Sequence, residues 1–407
     1  IIAGTNGKGS TCAMLAAILE SAGYRTGLYS SPHLIRINER IRVSGQEISD
    51  IEFAVAFTEV HHAVERLIAS ATLPQRPSFF EYLTAVAFQH FARAGVDFAV
   101  LEVGMGGRLD ATNVTDASVA VITNVDLDHQ EFLGSTLTAI AREKAGVIKP
   151  GRPVVSGCEH PEVREVIRQK CRDVGVELIE TAGLGSATNL FHLDGCYGFD
   201  LQMECLDLPG IFLQMAGMFQ VKNAATAAAA AWQLARADFR IAPEAIRDGL
   251  RAAAWPGRLE VIRRHPLILL DGAHNPAAAH EVAEFVRRHL KGRTLRLVYA
   301  SMRDKAIGEI SGILFPLAQA VYLTRPGLDR AAAPQVILET AAAVPPQTFI
   351  EHDPVRALEQ AASRSLPEDV VLVAGSLFLV GAIKKAILEG RLVPEKLAPP
   401  EVLSELR

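Results

Sequence analysis

The chain has 407 residues, is 49% hydrophobic and 21% charged, and carries a formal net charge of −5 at pH 7. That length has room for two or three ordinary domains, with a core that needs no disulfide staples. The slight negative charge gives no electrostatic basis for binding nucleic acid or a membrane surface, and no apolar run approaches the ~18 residues of a membrane span. The five cysteines, Cys12, Cys158, Cys171, Cys196 and Cys205, show no CxxC spacing. They are expected to be reduced, buried thiols of a cytoplasmic protein.

Ile1-Ile2-Ala3 reads as the end of a strand feeding a glycine-rich loop, Gly4-Thr5-Asn6-Gly7-Lys8-Gly9-Ser10-Thr11. A domain rarely starts at such a loop, so residues ahead of Ile1 are expected to be missing. Met14, Leu15, Ile18, Leu19 and Ala22 then share one helical face, and Gly23 stops that helix. Residues 26–30 read as a strand, and 31–45 as a long polar connection of the kind often used as a lid or binding loop. Helical periods over 50–70 and 79–94 precede apolar strands at 98–103 and 118–125, a helix over 137–145 and a short strand at 152–156. This alternation predicts a mostly parallel sheet covered on both faces.

Between about 181 and 215 short β-like runs replace the helical pattern, which suggests a small antiparallel sheet. An alanine-rich helix covers 219–235, and Trp255-Pro256-Gly257-Arg258 reads as a linker. A second alternating series follows, with strands at 267–270, 295–300, 320–324, 348–350 and 370–374 and a last helix over 377–388. The predicted fold class is α/β: a P-loop NTPase-like domain over 1–260 with a small β subregion, then a Rossmann-like domain over 261–407. The Pro-rich tail after Val393 is expected to be loose.

The first loop follows a strand and opens a helix, the context a phosphate-binding loop requires. Its glycines let backbone N–H groups curl round an anion, the helix N-terminus adds partial positive charge, and Lys8 supplies a full one. The usual Ser or Thr after the lysine is replaced by Gly9, so a magnesium-binding hydroxyl has to come from Ser10, Thr11 or elsewhere. Ser31, after the next strand, is a candidate, although it also reads as a turn serine. Glu102 closes an apolar strand, where a carboxylate needs either a metal or a salt bridge, for which Arg108 is available. His129 follows another strand end. Lys144, on local sequence alone, is an exposed lysine offsetting the end of a helix. In Asp271-Gly272-Ala273-His274-Asn275-Pro276, capping explains Asn275 and Pro276. It does not explain Asp271 and His274, which stand where doubly wound folds bind ligands.

Taken in order, GTNGKGS, SSPHL, INERI, EVGMGGRLDATN, DHQEFLG, REKAGVIKPG, WPGRLE, LDGAHNP and GSLFLVG resemble folylpolyglutamate synthase and its bifunctional form with dihydrofolate synthase activity, within the Mur ligase group. The resemblance runs over nearly the whole chain. It implies that Gly4 to Thr11 bind ATP, with Ser31 and Glu102 holding one Mg²⁺ and a second lying near His129 and a carbamylated Lys144. It further implies that Asn223 contacts adenine, Arg258 reaches the γ-phosphate, and Asp271 and His274 serve the nucleotide and the domain interface. Phe80 would stack on the pterin, Asp110 would hydrogen-bond it, and Ser376 would fall among the substrate-binding residues. Lys8, His129, Lys144, Arg258 and His274 are thus the implied catalytic set.

The segment Met302-Arg303-Asp304-Lys305 departs from the pattern, with Ala306 where a second acid is common. The implied activity is ATP-dependent addition of L-glutamate to dihydropteroate or folates through an acyl phosphate, by a monomer acting on small molecules. A sister ligase building peptidoglycan or another amino-acid polymer is the rival within the group, opposed by FFEY and LDATN. A nucleotide switch and a dinucleotide oxidoreductase are the rivals outside it.

Overall fold

The computed structural model describes residues 1–182, 187–193, 196–203 and 206–393; Cys205 and the tail expected to be loose lie outside them. The chain divides into two compact units. The first comprises Ile1–Phe191, Tyr197–Gln214 and Phe219–Trp255; the second comprises His192–Cys196, Met215–Met218 and Pro256 onward.

The first unit opens with β1 (Ile2–Ala3), α1 (Lys8–Ser21), β2 (Thr26–Tyr29), β3 (Ile41–Val43) and β4 (Gln46–Glu47). Next come α2 (Asp50–Ala69), α3 (Phe79–Ala94), β5 (Phe98–Leu101), β6 (Ala120–Ile122), α4 (Gln130–Leu133) and α5 (Leu137–Lys144). They are followed by β7 (Val154–Ser156), α6 (Pro161–Val174) and β8 (Leu178–Glu180). The strands run in the orders β4-β3-β2-β5 and β1-β6-β7-β8, and a parallel bridge between Ile2 and Glu102 joins the two sets. The glycine-rich loop therefore leaves the middle of the sheet, where strand ends from both sides converge.

Local chemistry explains the helices that flank it. Ser49 with Glu52 and Ser78 with Glu81 form reciprocal capping boxes that start α2 and α3. The inward face of α3 packs Leu83, Val86, Ala87 and Phe91, and α2 adds Ala56, against Tyr29 and Ile41, while α5 and α6 close the other half over Ile122 and Val154. The long polar connection expected over 31–45 contains a strand. Ile41–Val43 pairs antiparallel with β2, and Ile41 is fully buried, so a single inward side chain turns this stretch into a strand.

The small antiparallel sheet has the order β11-β10-β9, made of β9 (Ala187–Leu193), β10 (Cys196–Met203) and β11 (Leu206–Leu213). It is followed by α7 (Met218–Arg236) and α8 (Pro243–Ala252). Cys12, Cys158, Cys171 and Cys196 are buried, and none of them forms a disulfide among the described residues. No helix of the described residues is long and apolar enough to cross a membrane.

The second unit holds β12 (Glu260–Arg264), β13 (Leu267–Leu270), α9 (Pro276–His289), β14 (Leu295–Tyr299), α10 (Ile307–Leu314) and β15 (Ala320–Leu323). It continues with α11 (Pro334–Thr340), β16 (Gln347–Ile350), α12 (Pro354–Ser363), β17 (Val370–Ala374) and α13 (Leu377–Leu388). Its sheet order is β12-β13-β17-β14-β15-β16, parallel except for the β12 edge. Four strands are nearly continuous Val, Leu, Ile, Ala and Tyr, as a sheet buried on both faces demands.

In the first unit α8 crosses α1 closely at Gly249, where a Cβ would come within 2.3 Å of the Ile18 Cα. Gly249→Ala is expected to cost about 1–3 kcal/mol, read as a lower midpoint in urea unfolding; an unchanged midpoint would contradict this packing.

Candidate active site

The loop between β1 and α1 is held by the residues that follow β6. The Asn6 N–H donates to Asn124 Oδ1 (2.7 Å), Thr123 Oγ1 donates to the Asn6 carbonyl (2.6 Å), and Thr5 Oγ1 bonds the Asp126 backbone. Gly4 has no room for a side chain, since a Cβ would lie 1.9 Å from Thr123 Oγ1. Gly7 takes a left-handed φ of 79° with Asn223 Oδ1 against it. Behind the loop, Asn223 donates to Gln220, which donates to Ser10 Oγ. Asn223 is thus packed on the loop itself.

The position after the lysine has a steric explanation. A Cβ on Gly9 would lie 2.7–2.9 Å from the Trp255 indole. The aromatic ring occupies the space that a serine or threonine side chain needs. Thr11 Oγ1 is buried with no hydrogen-bond partner among the described residues.

Around the loop the expected charges assemble. Lys8 Nζ donates to the Thr5 carbonyl (3.1 Å). Lys144 is 4% exposed, and its Nζ donates to the Gly4 carbonyl (2.9 Å) across 140 residues of chain. Burial, and then the nearby Lys8, lower its pKa from 10.5 to about 7, while Asp128 and Cys158 oppose the shift. The reading of Lys144 as an exposed dipole-offsetting residue does not hold. Asp128, which the sequence reading passed over, is the acid beside this cation; the signal was its place next to His129. His129 itself is half exposed, has a left-handed φ of 51° and stands 4.0 Å from Asp128 Oδ2.

Ser31 and Glu102 meet at the ends of adjacent parallel strands. The Ser31 N–H donates to Glu102 Oε2 (2.9 Å), and Glu102 is 4% exposed. Arg108 goes instead to Glu143 (3.1 Å), so the structural salt bridge considered for Glu102 does not form. Among the described residues no three His, Cys, Asp or Glu side chains converge. A metal here has to keep waters, which fits magnesium and the one or two oxygen ligands on offer.

Phe80 lies over Gly104, where a Cβ would meet its ring at 2.6 Å, and its centroid is 5.8 Å from that of Tyr29. Asp110 organises the same loop: its carboxylate accepts from the N–H groups of Gly104, Met105 and Thr112 and from the Thr112 hydroxyl.

In the second unit, Arg258, Asp271 and Leu377 converge on Gly272. A Cβ there would meet Leu377 at 2.3 Å and Arg258 Nη1 at 2.4 Å. The buried Asp271 accepts from the N–H groups of Leu259 (2.8 Å) and Ala273 (2.7 Å). Burial pushes its carboxyl up, and Arg258 with those two donors holds it down. His274 Nδ1 is 2.8 Å from the Gly272 carbonyl, Asn275 caps α9, and Ser376 caps α13 through the Phe378 N–H.

Residues 2–231 match the Mur ligase middle domain and residues 257–377 the Mur ligase glutamate ligase domain. The dihydrofolate synthase/folylpolyglutamate synthase of Bacillus subtilis is 34% identical over 393 residues, covering 95% of this chain and 89% of that protein. The chain belongs to this family. It is therefore an ATP-dependent ligase that adds glutamate to a pteroate or folate acid. Escherichia coli FolC in complex with DHPP and ADP superposes with a TM-score of 0.84 at 34% identity, covering 96% of this chain and 88% of that one. A Yersinia pestis folylpolyglutamate synthase/dihydrofolate synthase complexed with AMPPNP and Mn ion gives 0.82 at 34%, covering 95% and 88%.

Placing a serine at position 9 of this ligase is expected to reduce ATP affinity rather than supply a metal ligand. Gly9→Ser should weaken AMPPNP binding by about tenfold or more, from an overpacking cost of about 1–3 kcal/mol, and adding Trp255→Ala should restore part of it. Calorimetric titration showing Gly9→Ser at wild-type affinity would remove the indole from the explanation.

Proposed function

We propose that the chain carries out both steps known by the family's name, adding L-glutamate to dihydropteroate and to reduced folates. In this reading residues 1–260 carry the nucleotide and residues 261–407 the glutamate chemistry, and the enzyme acts as a cytoplasmic monomer on small molecules. The observation that carries the proposal is the pair of cations at the loop, Lys8 and the buried Lys144, beside the Ser31–Glu102 contact.

A carboxylate is a poor electrophile and must be activated before an amine can displace its oxygen. An acceptor carboxylate oxygen attacks the γ-phosphorus of ATP, the bond to the bridging oxygen breaks, and ADP leaves an acyl phosphate behind. The glutamate amine then attacks the acyl carbon, loses a proton and expels phosphate. The loop N–H groups and Lys8 orient the triphosphate and offset its charge. Two magnesium ions, one held by Ser31 and Glu102 and one near His129 and carbamylated Lys144, would neutralise the transferring phosphoryl group.

Lys144 suits carbamylation because only a neutral amine attacks CO₂, and burial keeps much of it neutral near pH 7. Asn223 is assigned to adenine, Arg258 to the γ-phosphate, Asp271 to the nucleotide, Phe80 and Asp110 to the pterin, and His274 and Ser376 to the glutamate side.

Incubation with ATP, glutamate and either dihydropteroate or tetrahydrofolate should release one ADP and one phosphate per amide formed. Production of AMP and pyrophosphate would overturn the acyl-phosphate route, and turnover with one acceptor alone would reduce the proposal to that reaction.

Lys144 also sets a pH dependence. Between about pH 7 and 10.5 the folded chain has released a proton that the unfolded chain keeps, so stability rises with pH across that window and is least below it. In CO₂-free buffer the unfolding free energy of the wild type, minus that of Lys144→Met, should climb from pH 7 towards pH 10. A flat difference would mean that the buried amine is not depressed. The variant should also lose turnover while remaining folded.

A further inference from the structure

Arg40 is a buried cation whose fork is largely unused. The residue is 9% exposed, and its Nε donates to His33 Nδ1 at 2.9 Å. It makes no other side-chain hydrogen bond and no ion pair among the described residues. The four N–H groups on its two terminal nitrogens are therefore without protein acceptors, in a place where burial already disfavours its charge.

The acids near it are committed elsewhere. Glu39 accepts from the backbone N–H groups of Leu34, Ile35 and Arg36, each at 2.7 Å. Glu102 accepts from Ser31. Arg40 is itself well fixed: its carbonyl receives the Ser30 N–H at 2.9 Å, which ties it to the end of β2 beside Ser31. On the other side its guanidinium carbon is 5.5 Å from the centroid of the Phe79 ring, the neighbour of Phe80. The free fork thus stands near Glu102 of the candidate metal site and against the Phe79 ring.

We propose that the Arg40 guanidinium receives the reacting carboxylate of the acceptor acid. This rests on the function proposed above. A planar fork with paired N–H donors matches a carboxylate in a two-point contact, and the Phe79 ring beside the guanidinium suits the aryl group that carries that carboxylate in a pteroate. The triphosphate has other partners in the glycine loop, the α1 N-terminus and Lys8. The contact also meets a physical need, because an ionised acid must approach an anionic phosphoryl group, and a buried guanidinium reduces their repulsion. His33 is then the positioning residue that fixes the plane of the fork through Nε.

The test is equilibrium binding of pteroic acid and of its carboxamide, measured by titration calorimetry on the full chain and on Arg40→Gln. Wild type should prefer the acid by about tenfold or more. Arg40→Gln should weaken the acid by about 10- to 100-fold, the worth of a charge-assisted hydrogen bond, leave the amide within about threefold, and leave AMPPNP binding unchanged. Equal weakening of acid and amide, weakening of AMPPNP, or no change at all would overturn the assignment. Failure of wild type to bind either pteroyl compound would sink the folate reading and this assignment together. If Arg40→Gln does not fold, Arg40→Lys keeps the charge and loses the fork; it should narrow the acid-over-amide preference, and an unaltered preference would overturn the proposal.

Discussion

The buried hydrogen bond from Lys144 Nζ to the Gly4 carbonyl is the contact on which the arrangement of charge around the glycine loop depends. It joins the end of α5 to the start of the phosphate loop and places an amine where it sees Lys8 on one side and Asp128 on the other. Two cations so close, one of them out of water, raise each other's energy. The arrangement is tolerable because the buried amine gives up its proton readily and because Asp128 offsets part of the repulsion. The same features make the amine reactive.

Carboxylates in this unit show the reverse economy. Asp110 and Glu39 are each surrounded by backbone N–H groups and turn their loops; in the second unit Asp271 does the same for the segment around Leu259 and Ala273. An acid satisfied by several amides is a rigid structural element. Arg40 stands out against this pattern, since its terminal N–H groups have no acceptor among the described residues.

The alternation of apolar strands and amphipathic helices was readable because both sheets are buried on two faces, so their strands appear as continuous hydrophobic runs. The last helix was visible over its whole length, from Leu377 to Leu388, although its Ser376 cap was not. Less visible were α6 and α8, where charged side chains outnumber the inward-facing Val163, Ile167 and Cys171 or Ile246 and Leu250. The edge strand β12 went unread because its five residues include three charges. Within the site, the loop, Ser31 and Glu102 announced themselves by their place after strands. The burial of Lys144 did not, since its partner is far away in the chain and local pattern carries no record of it. Trp255 likewise looked like part of a linker until its ring was found against Gly9.

That ring has a consequence for how such sites are found. With the indole in the way, a side chain directly after the lysine is excluded, and in the function proposed above the anion cradle and the cation ligand Ser31 are encoded in separate segments of the chain. A search keyed to a hydroxyl directly after the lysine passes over this chain, and a transplanted loop from an ordinary nucleotide hydrolase would collide with tryptophan unless both positions changed together.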